Sequence, residues 1–237
     1  MNRLCCILIV LTGFVWVGMA DERPRVVNLV PQDDGPEAGQ NTSTNDSVYT
    51  AMLINHLRSN FDDIHDVSMR FHHLDHRLNG VILFNMHWEN GRMTSSSVVK
   101  NETNNEEFAD ALSANIEKWY IKDLTGPFDI NLPLRIRIIG SDDPTFPEKG
   151  ILTGEIFDYD GKPLKDAKLS FQSVVNSSDT LRNCYSNREG IFVMTLIPVG
   201  SWNIECTAVG FEKVSLKDIS FGKGDHIRKK ITLRPLN

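Results

Sequence analysis

The apolar positions of the chain change period several times, and each change marks an element. From Val48 onward Met52, Leu53, His56 and Leu57, then Phe61, Ile64, Val67, Phe71 and Leu74, recur at three and four residues. That spacing predicts helix, with Asp46 or Ser47 capping its start. After Gly80 the period falls to two. Residues 81–88 predict a strand, Glu89-Asn90-Gly91 a hairpin turn, and residues 93–100 the returning strand. Polar residues 101–105 lead into a second helix with Phe108, Ala111, Leu112, Asn115, Ile116 and Trp119 on one face, and Thr103 with Glu106 forms a capping box. Residues 130–139 alternate again, Ile130, Leu132, Leu134, Ile136 and Ile138 on one side, Asn131, Pro133, Arg135 and Arg137 on the other. Helix, hairpin, helix, strand is an α+β order in which helices cover one face of a small antiparallel sheet.

Breakers fill residues 141–149, and the pattern beyond them is all strand. Residues 151–158 and 167–174 read as strands around a turn at 159–164. The stretch from Cys184 to Phe211 is punctuated by Gly190, Gly200 and Gly210 between runs short and apolar enough to be strands. The expected organisation is therefore an α+β domain over 48–140, a linker at 141–149, and a β-sandwich over 150–237. The two domains are expected to fold separately. Residues 21–47, rich in Pro, Gly and polar side chains, read as a further linker.

The N-terminus changes the picture of compartment. Arg3 precedes a nearly uncharged run over residues 4–20, which ends in Gly18-Met19-Ala20 before Asp21-Glu22-Arg23. This is the pattern of a secretory leader cleaved after Ala20; an uncleaved segment would instead tether the chain to a membrane. The expected location is across the bacterial inner membrane, in the periplasm or associated with the outer envelope. Net charge is −6, which makes a nucleic-acid partner unexpected. Residues 21–50 carry six acidic against two basic side chains, and residues 211–237 seven basic against three acidic.

Two families resemble parts of the chain. Ser186-Asn187, Gly190-Ile191-Phe192, Ile197-Pro198-Val199-Gly200, Trp202, Ile204, Gly210-Phe211 and the run Asp160-Gly161-Lys162-Pro163-Leu164 with Ala167 resemble the carboxypeptidase regulatory-like family. That resemblance implies a transthyretin-like β-sandwich with no catalytic residues of its own. Residues 52–139 are similar to the C-terminal domain of the AgmX/PglI group and, more loosely, of TonB. The similarity rests on Gly80-Val81, Phe84, Met86, Asn90-Gly91, Val98, Phe108, Ala111-Leu112, Ile116, Trp119 and the strand from Ile130. The chain departs from the group at Val67 and Ala111, where cysteine is frequent.

Candidate chemistry is sparse. His65, His72, His73 and His76 with Asp75 form the one cluster that looks like a metal site, since His72 and His76 would share a face if the helix continued. Solvated polar residues explain it better, and no metal or cofactor is expected. No H-x-x-E, G-x-S-x-G or cysteine nucleophile outside the sandwich is present, so the chain is not expected to be an enzyme. Asp158, Asp160 and Gly161 imitate part of a calcium loop, but a turn accounts for them. Cys184 and Cys206 lie in predicted strands of one domain; a disulfide between them and two buried thiols are both open readings. Trp88, Trp119, Trp202 and Phe211 are either a sugar-stacking platform or core.

The function these features imply is a non-catalytic protein-binding or scaffold component of the cell envelope. The alternatives are a carbohydrate-binding module with a glycan partner and an unrecognised hydrolase or zinc-binding protein. For the first reading the candidate partner is another envelope protein and the candidate pairing strand carries Asn131, Arg135 and Arg137. Pro133 argues that this strand lies at a sheet edge, because in a central strand it would delete a ladder hydrogen bond.

Overall fold

The computed structural model describes residues 44–138, 141 and 143–236, with side chains from Val48 onward. The leader, the cleavage after Ala20 and most of the linker over 21–47 lie outside the described residues. Among those described, no helix is long and apolar enough to cross a membrane. The described chain is mostly β, with three α-helices. It divides into two units: one takes residues 44–68 and 78–137, the other 69–77 and 138–236.

In the first unit the helical pattern is realised as two helices, α1 (Thr44–Ser59) and α2 (Phe61–Leu74). The expected caps Asp46 and Ser47 fall inside the first turn of α1, not before it. The break at Asn60 has a local cause. Its backbone N and its side-chain Nδ2 both donate to the His56 carbonyl at 2.9 Å, and its own carbonyl accepts from Asp63 N. An Asn side chain that saturates the preceding turn ends one helix and starts the next. The hairpin forms as expected, β1 (Gly80–Glu89) antiparallel to β2 (Arg92–Asn101). Asn90 and Gly91 both have positive φ, 49° and 78°, the geometry of a type I′ turn. At Gly91 no side chain fits either, since a Cβ would lie 2.4 Å from the Ile121 carbonyl oxygen.

Helix α3 (Glu106–Ile116) is capped by Asn105, not by the expected Thr103: the Asn105 side chain accepts from Phe108 N at 2.9 Å. The Thr103 hydroxyl donates instead to Asn101 Oδ1 at 2.6 Å, so it is spent in the preceding turn. The buried stripe of α3 is Phe108, Ala109, Leu112 and Ile116. The last strand of the unit, β3 (Phe128–Ile136), is shorter than the expected 130–139 at its end and starts earlier. The sheet order is β2-β1-β3. Ile82, Phe84, Met86 and Trp88 from β1 and Ile130, Leu132, Leu134 and Ile136 from β3 are buried on its inner face. They alternate with half-buried or exposed partners because successive side chains of a strand point to opposite faces.

The second unit is a β-sandwich-like pair of sheets. After a 3-10 turn at Phe146–Glu148 come β4 (Gly150–Asp158), β5 (Lys168–Ser173), β6 (Cys184–Tyr185), β7 (Ile191–Ile197), β8 (Gly200–Thr207), β9 (Val214–Phe221) and β10 (His226–Leu233). One sheet runs β10-β4-β7, the other β6-β5-β8-β9. All pairings are antiparallel except β10 with β4. Leu152, Ile156, Phe192, Met194, Ile231 and Leu233 from the first sheet meet Leu169, Phe171, Trp202, Ile204, Cys206 and Phe221 from the second in one core. The stretch from Asp158 to Gly161, read as a turn, is one: Asp158 Oδ1 accepts from the backbone N of Asp160 and of Lys162 at 3.0 and 2.8 Å.

The two cysteines settle between the readings left open by sequence. Leu169 on β5 is paired with Cys184 on one side and with Cys206 on the other, so the cysteines are two strands apart. Two strand spacings are about 9.6 Å. A disulfide needs Cα atoms within about 7 Å. Both are buried free thiols, and Cys184 Sγ donates to the Val193 carbonyl at 3.3 Å. Burial pushes both thiols up to about 12, so neither has appreciable thiolate at neutral pH. Native protein is therefore expected to resist iodoacetamide at both positions, while unfolding without reductant exposes two alkylatable thiols. Mass spectrometry of the labelled chain reads the outcome, and an unlabelled unfolded chain would require a bond the strand order forbids.

Candidate partner-binding edge

The strand singled out in the sequence, β3, pairs with β1 and with no other strand among the described residues, so it is an edge of its sheet. The direction of its backbone groups follows from the other side of β1. Val81 accepts from Glu102 N at 2.9 Å and donates to Glu102 Oε2 at 3.0 Å, so its N–H and C=O face the β2 side. Alternation then turns Ile82, Phe84 and Met86 toward β3, where they oppose Leu134, Leu132 and Ile130. The residues between, Asp129, Asn131, Pro133 and Arg135, direct their backbone groups away from β1. Pro133 thus sits at a position where its missing N–H costs no ladder bond, which is where an edge strand tolerates proline.

The same residues form the solvent face of the strand, and their side chains are tied to β1. Asn85 Nδ2 donates to Asn131 Oδ1 at 2.9 Å. At one end His87 lies between Asp129, with Nδ1 at 2.7 Å from Oδ1, and Glu89, with Nε2 at 3.2 Å from Oε1. The hydrogen bond to Asp129, then that to Glu89, raise the imidazole above its ordinary value. At the other end stands Arg135, half-buried, with Arg137 one residue beyond the strand. The side chains of this face therefore run from a His–carboxylate group to arginine over one strand length. Sequence reasoning named Asn131, Arg135 and Arg137; it missed Asp129 and His87. The strand was expected to start at Ile130, and a cross-strand pair has no sequence signal.

The other candidates are dispersed or buried. The histidine cluster is not gathered on one helix face. Helix α2 ends at Leu74, so His72 and His76 do not share a helix face, and His72 is fully buried. Among the described residues no group of three His, Cys, Asp or Glu side chains could hold a metal ion. The sugar-stacking platform fails on exposure: Trp88, Trp119 and Trp202 are 0%, 4% and 5% exposed, and Phe211 is half-buried. These rings are core, and Trp202 Nε1 spends its donor on the Pro198 carbonyl at 3.0 Å. A depression between β2 and α3, edged by Val98, Val99, Glu106 and Asp110, contains no histidine, serine or cysteine among its lining residues.

No curated protein matches the chain. Among solved structures, a Bacteroides uniformis protein provisionally assigned as carbohydrate binding shares 12% identity over 37% of this chain and 42% of its own, with a TM-score of 0.31. The dioxygenase domain of a dioxygenase carbohydrate-binding fusion from Streptomyces sp. SirexAA-E shares 15% over 40% of this chain and 84% of its own, with a TM-score of 0.32. The 5-hydroxyisourate hydrolase of Klebsiella pneumoniae shares 20% over 36% and 85%, with a TM-score of 0.29. The chain thus spans less than half the length of the first of these. Residues 151–234 match the family model of the carboxypeptidase regulatory-like domain.

Proposed function

We propose that the protein is an exported, non-catalytic binding component of the bacterial cell envelope, which captures an extended segment of another envelope protein as a strand added to β3. The observation that carries this reading is the edge itself: backbone groups of Asp129, Pro133 and Arg135 point away from β1, in the plane where an added strand would lie. Backbone pairing supplies affinity in such a mode, and the side-chain face supplies choice. Here the choice would come from Arg135, which favours an acidic residue opposite it, and from the His87–Asp129 group at the far end. The similarity of residues 52–139 to the TonB and AgmX/PglI domains supports the reading, because TonB meets its partners by pairing strands. The leader-like run over residues 4–20 supports export.

Arg135→Pro tests the mechanism, since it deletes one outward amide without touching the ladder to β1. Capture of a partner by crosslinking in envelope extracts is expected to fall about tenfold, the effect of losing one amide hydrogen bond and its local geometry. Arg135→Ala keeps the amide and is expected to retain most of the capture. Undiminished capture by a folded Arg135→Pro variant would exclude strand addition at this edge.

A further inference from the structure

The described chain brings together three imidazoles that the binding edge does not use. His73 and His76 come from the segment Met69–Arg77, which belongs to the same unit as β4 and β10, and His226 opens β10. The rings of His76 and His226 meet edge to face with centroids 4.5 Å apart. His226 Nε2 is 2.9 Å from the hydroxyl of Thr153, which is fully buried on β4. His73 Nδ1 is buried with no hydrogen-bond partner. Arg228, next but one along β10, donates to the Leu74 carbonyl and so holds a fixed positive charge beside the cluster. Arg70, at the start of the segment, is paired with Glu189 in the turn before β7.

The charged surroundings decide what a proton would do here. From the segment itself come Arg70, Asp75 and Arg77; from β10, Arg228; from β4, Glu155; from the turn before β7, Glu189. Asp75 is occupied by Arg77, accepting from its backbone N at 3.0 Å and its Nε at 3.2 Å. Among the described residues no carboxylate is hydrogen-bonded to His76 or His226 in the way that Asp129 holds His87. Two adjacent imidazoliums next to Arg228 would repel one another in a half-buried site, and a charged His73 would place a cation around a nitrogen with no acceptor.

We propose that His73, His76 and His226 form an acid-release latch, which holds Met69–Arg77 on the β4–β10 face while the rings are neutral and frees it when they are protonated. The direction agrees with burial, which lowers all three; for His226 burial, then the charges of His76 and Arg228, bring it to about 4. A histidine depressed in the docked state contributes stability above its ordinary value near 6.5, and the contribution drains away as pH falls from there toward 4. The latch is therefore closed at neutral pH and opens in the window from about 6.5 to 4.

Hydrogen exchange of the full chain at pH 7.5 and 5.0, corrected for intrinsic rates, tests the latch. Protection of amides 70–76, relative to those of β7, is expected to fall about thirtyfold at pH 5.0, the loss that a shift from 6.5 to about 4 implies. His76→Phe with His226→Gln keeps ring packing and a partner for Thr153 while removing two titrating groups, and is expected to show less than about a third of that drop. Should the double variant be undocked already at pH 7.5, His76→Phe alone must still show a smaller drop than the native chain. A native segment whose relative protection is unchanged at pH 5.0, or an equal drop in the docked variants, would overturn the proposal.

Discussion

Gly154→Ala is expected to unfold the sandwich, at a cost of at least about 3 kcal/mol. Gly154 lies mid-strand in β4, between Lys229 of β10 and Phe192 of β7. A Cβ built there would lie 1.9 Å from the Lys229 carbonyl oxygen and 2.7 Å from Phe192 Cζ. A flexible side chain could swing away; a ladder carbonyl cannot move without parting β10 from β4. Because interiors are packed close to crystal density, no neighbouring void takes up the displacement. Gly161→Ala is the contrast. Gly161 has open space around it and only a left-handed φ of 81°, so its cost is expected to stay near 1 kcal/mol. Exchange of the β4 and β10 amides separates the two variants. A Gly154→Ala protein as well protected as its parent would mean that β10 does not lie against β4.

Trp88→Ala is expected to cost about 4 kcal/mol in the first unit, whereas Trp88→Phe should cost less than half as much. Trp88 is fully buried at the end of β1, opposite Phe128 of β3. Truncation to alanine removes a large apolar area and leaves a cavity that the flanking strands cannot close. Phenylalanine keeps most of the area. It also removes a liability, because Trp88 Nε1 is buried with no hydrogen-bond partner. Leaving such a donor unpaired costs about 1–3 kcal/mol, which offsets part of the lost packing. Urea unfolding followed by far-ultraviolet circular dichroism gives both numbers. Equal costs for Ala and Phe would show that the buried ring area at this position is not what stabilises the unit.

Local rules determined much of this protein from sequence alone. The Asn90-Gly91 turn, the alternation of β1 and β3, and the glycine-bounded strands β7 and β8 depend on residues within a few positions of one another, so propensity and period suffice to place them. The edge position of β3 was also legible, because Pro133 carries its consequence in its own backbone. What the sequence could not decide were choices between two adequate local solutions. Asn105 and Thr103 both suit a cap, and only the path of the chain after β2 left Thr103 bonded to Asn101. One helical pattern became α1 and α2 because the Asn60 side chain found the His56 carbonyl.

Tertiary structure decided everything that depended on which strands are neighbours. Insertion of β5 between Cys184 and Cys206 keeps two thiols apart that sequence left free to bond. Packing turned the indoles of Trp88, Trp119 and Trp202 inward and removed the sugar platform. The parallel pairing of β10 with β4 carried His226 to His76, 150 positions earlier in the chain. Such contacts arise from the burial of whole faces, a property of the assembled sheet with no counterpart in any stretch of the sequence.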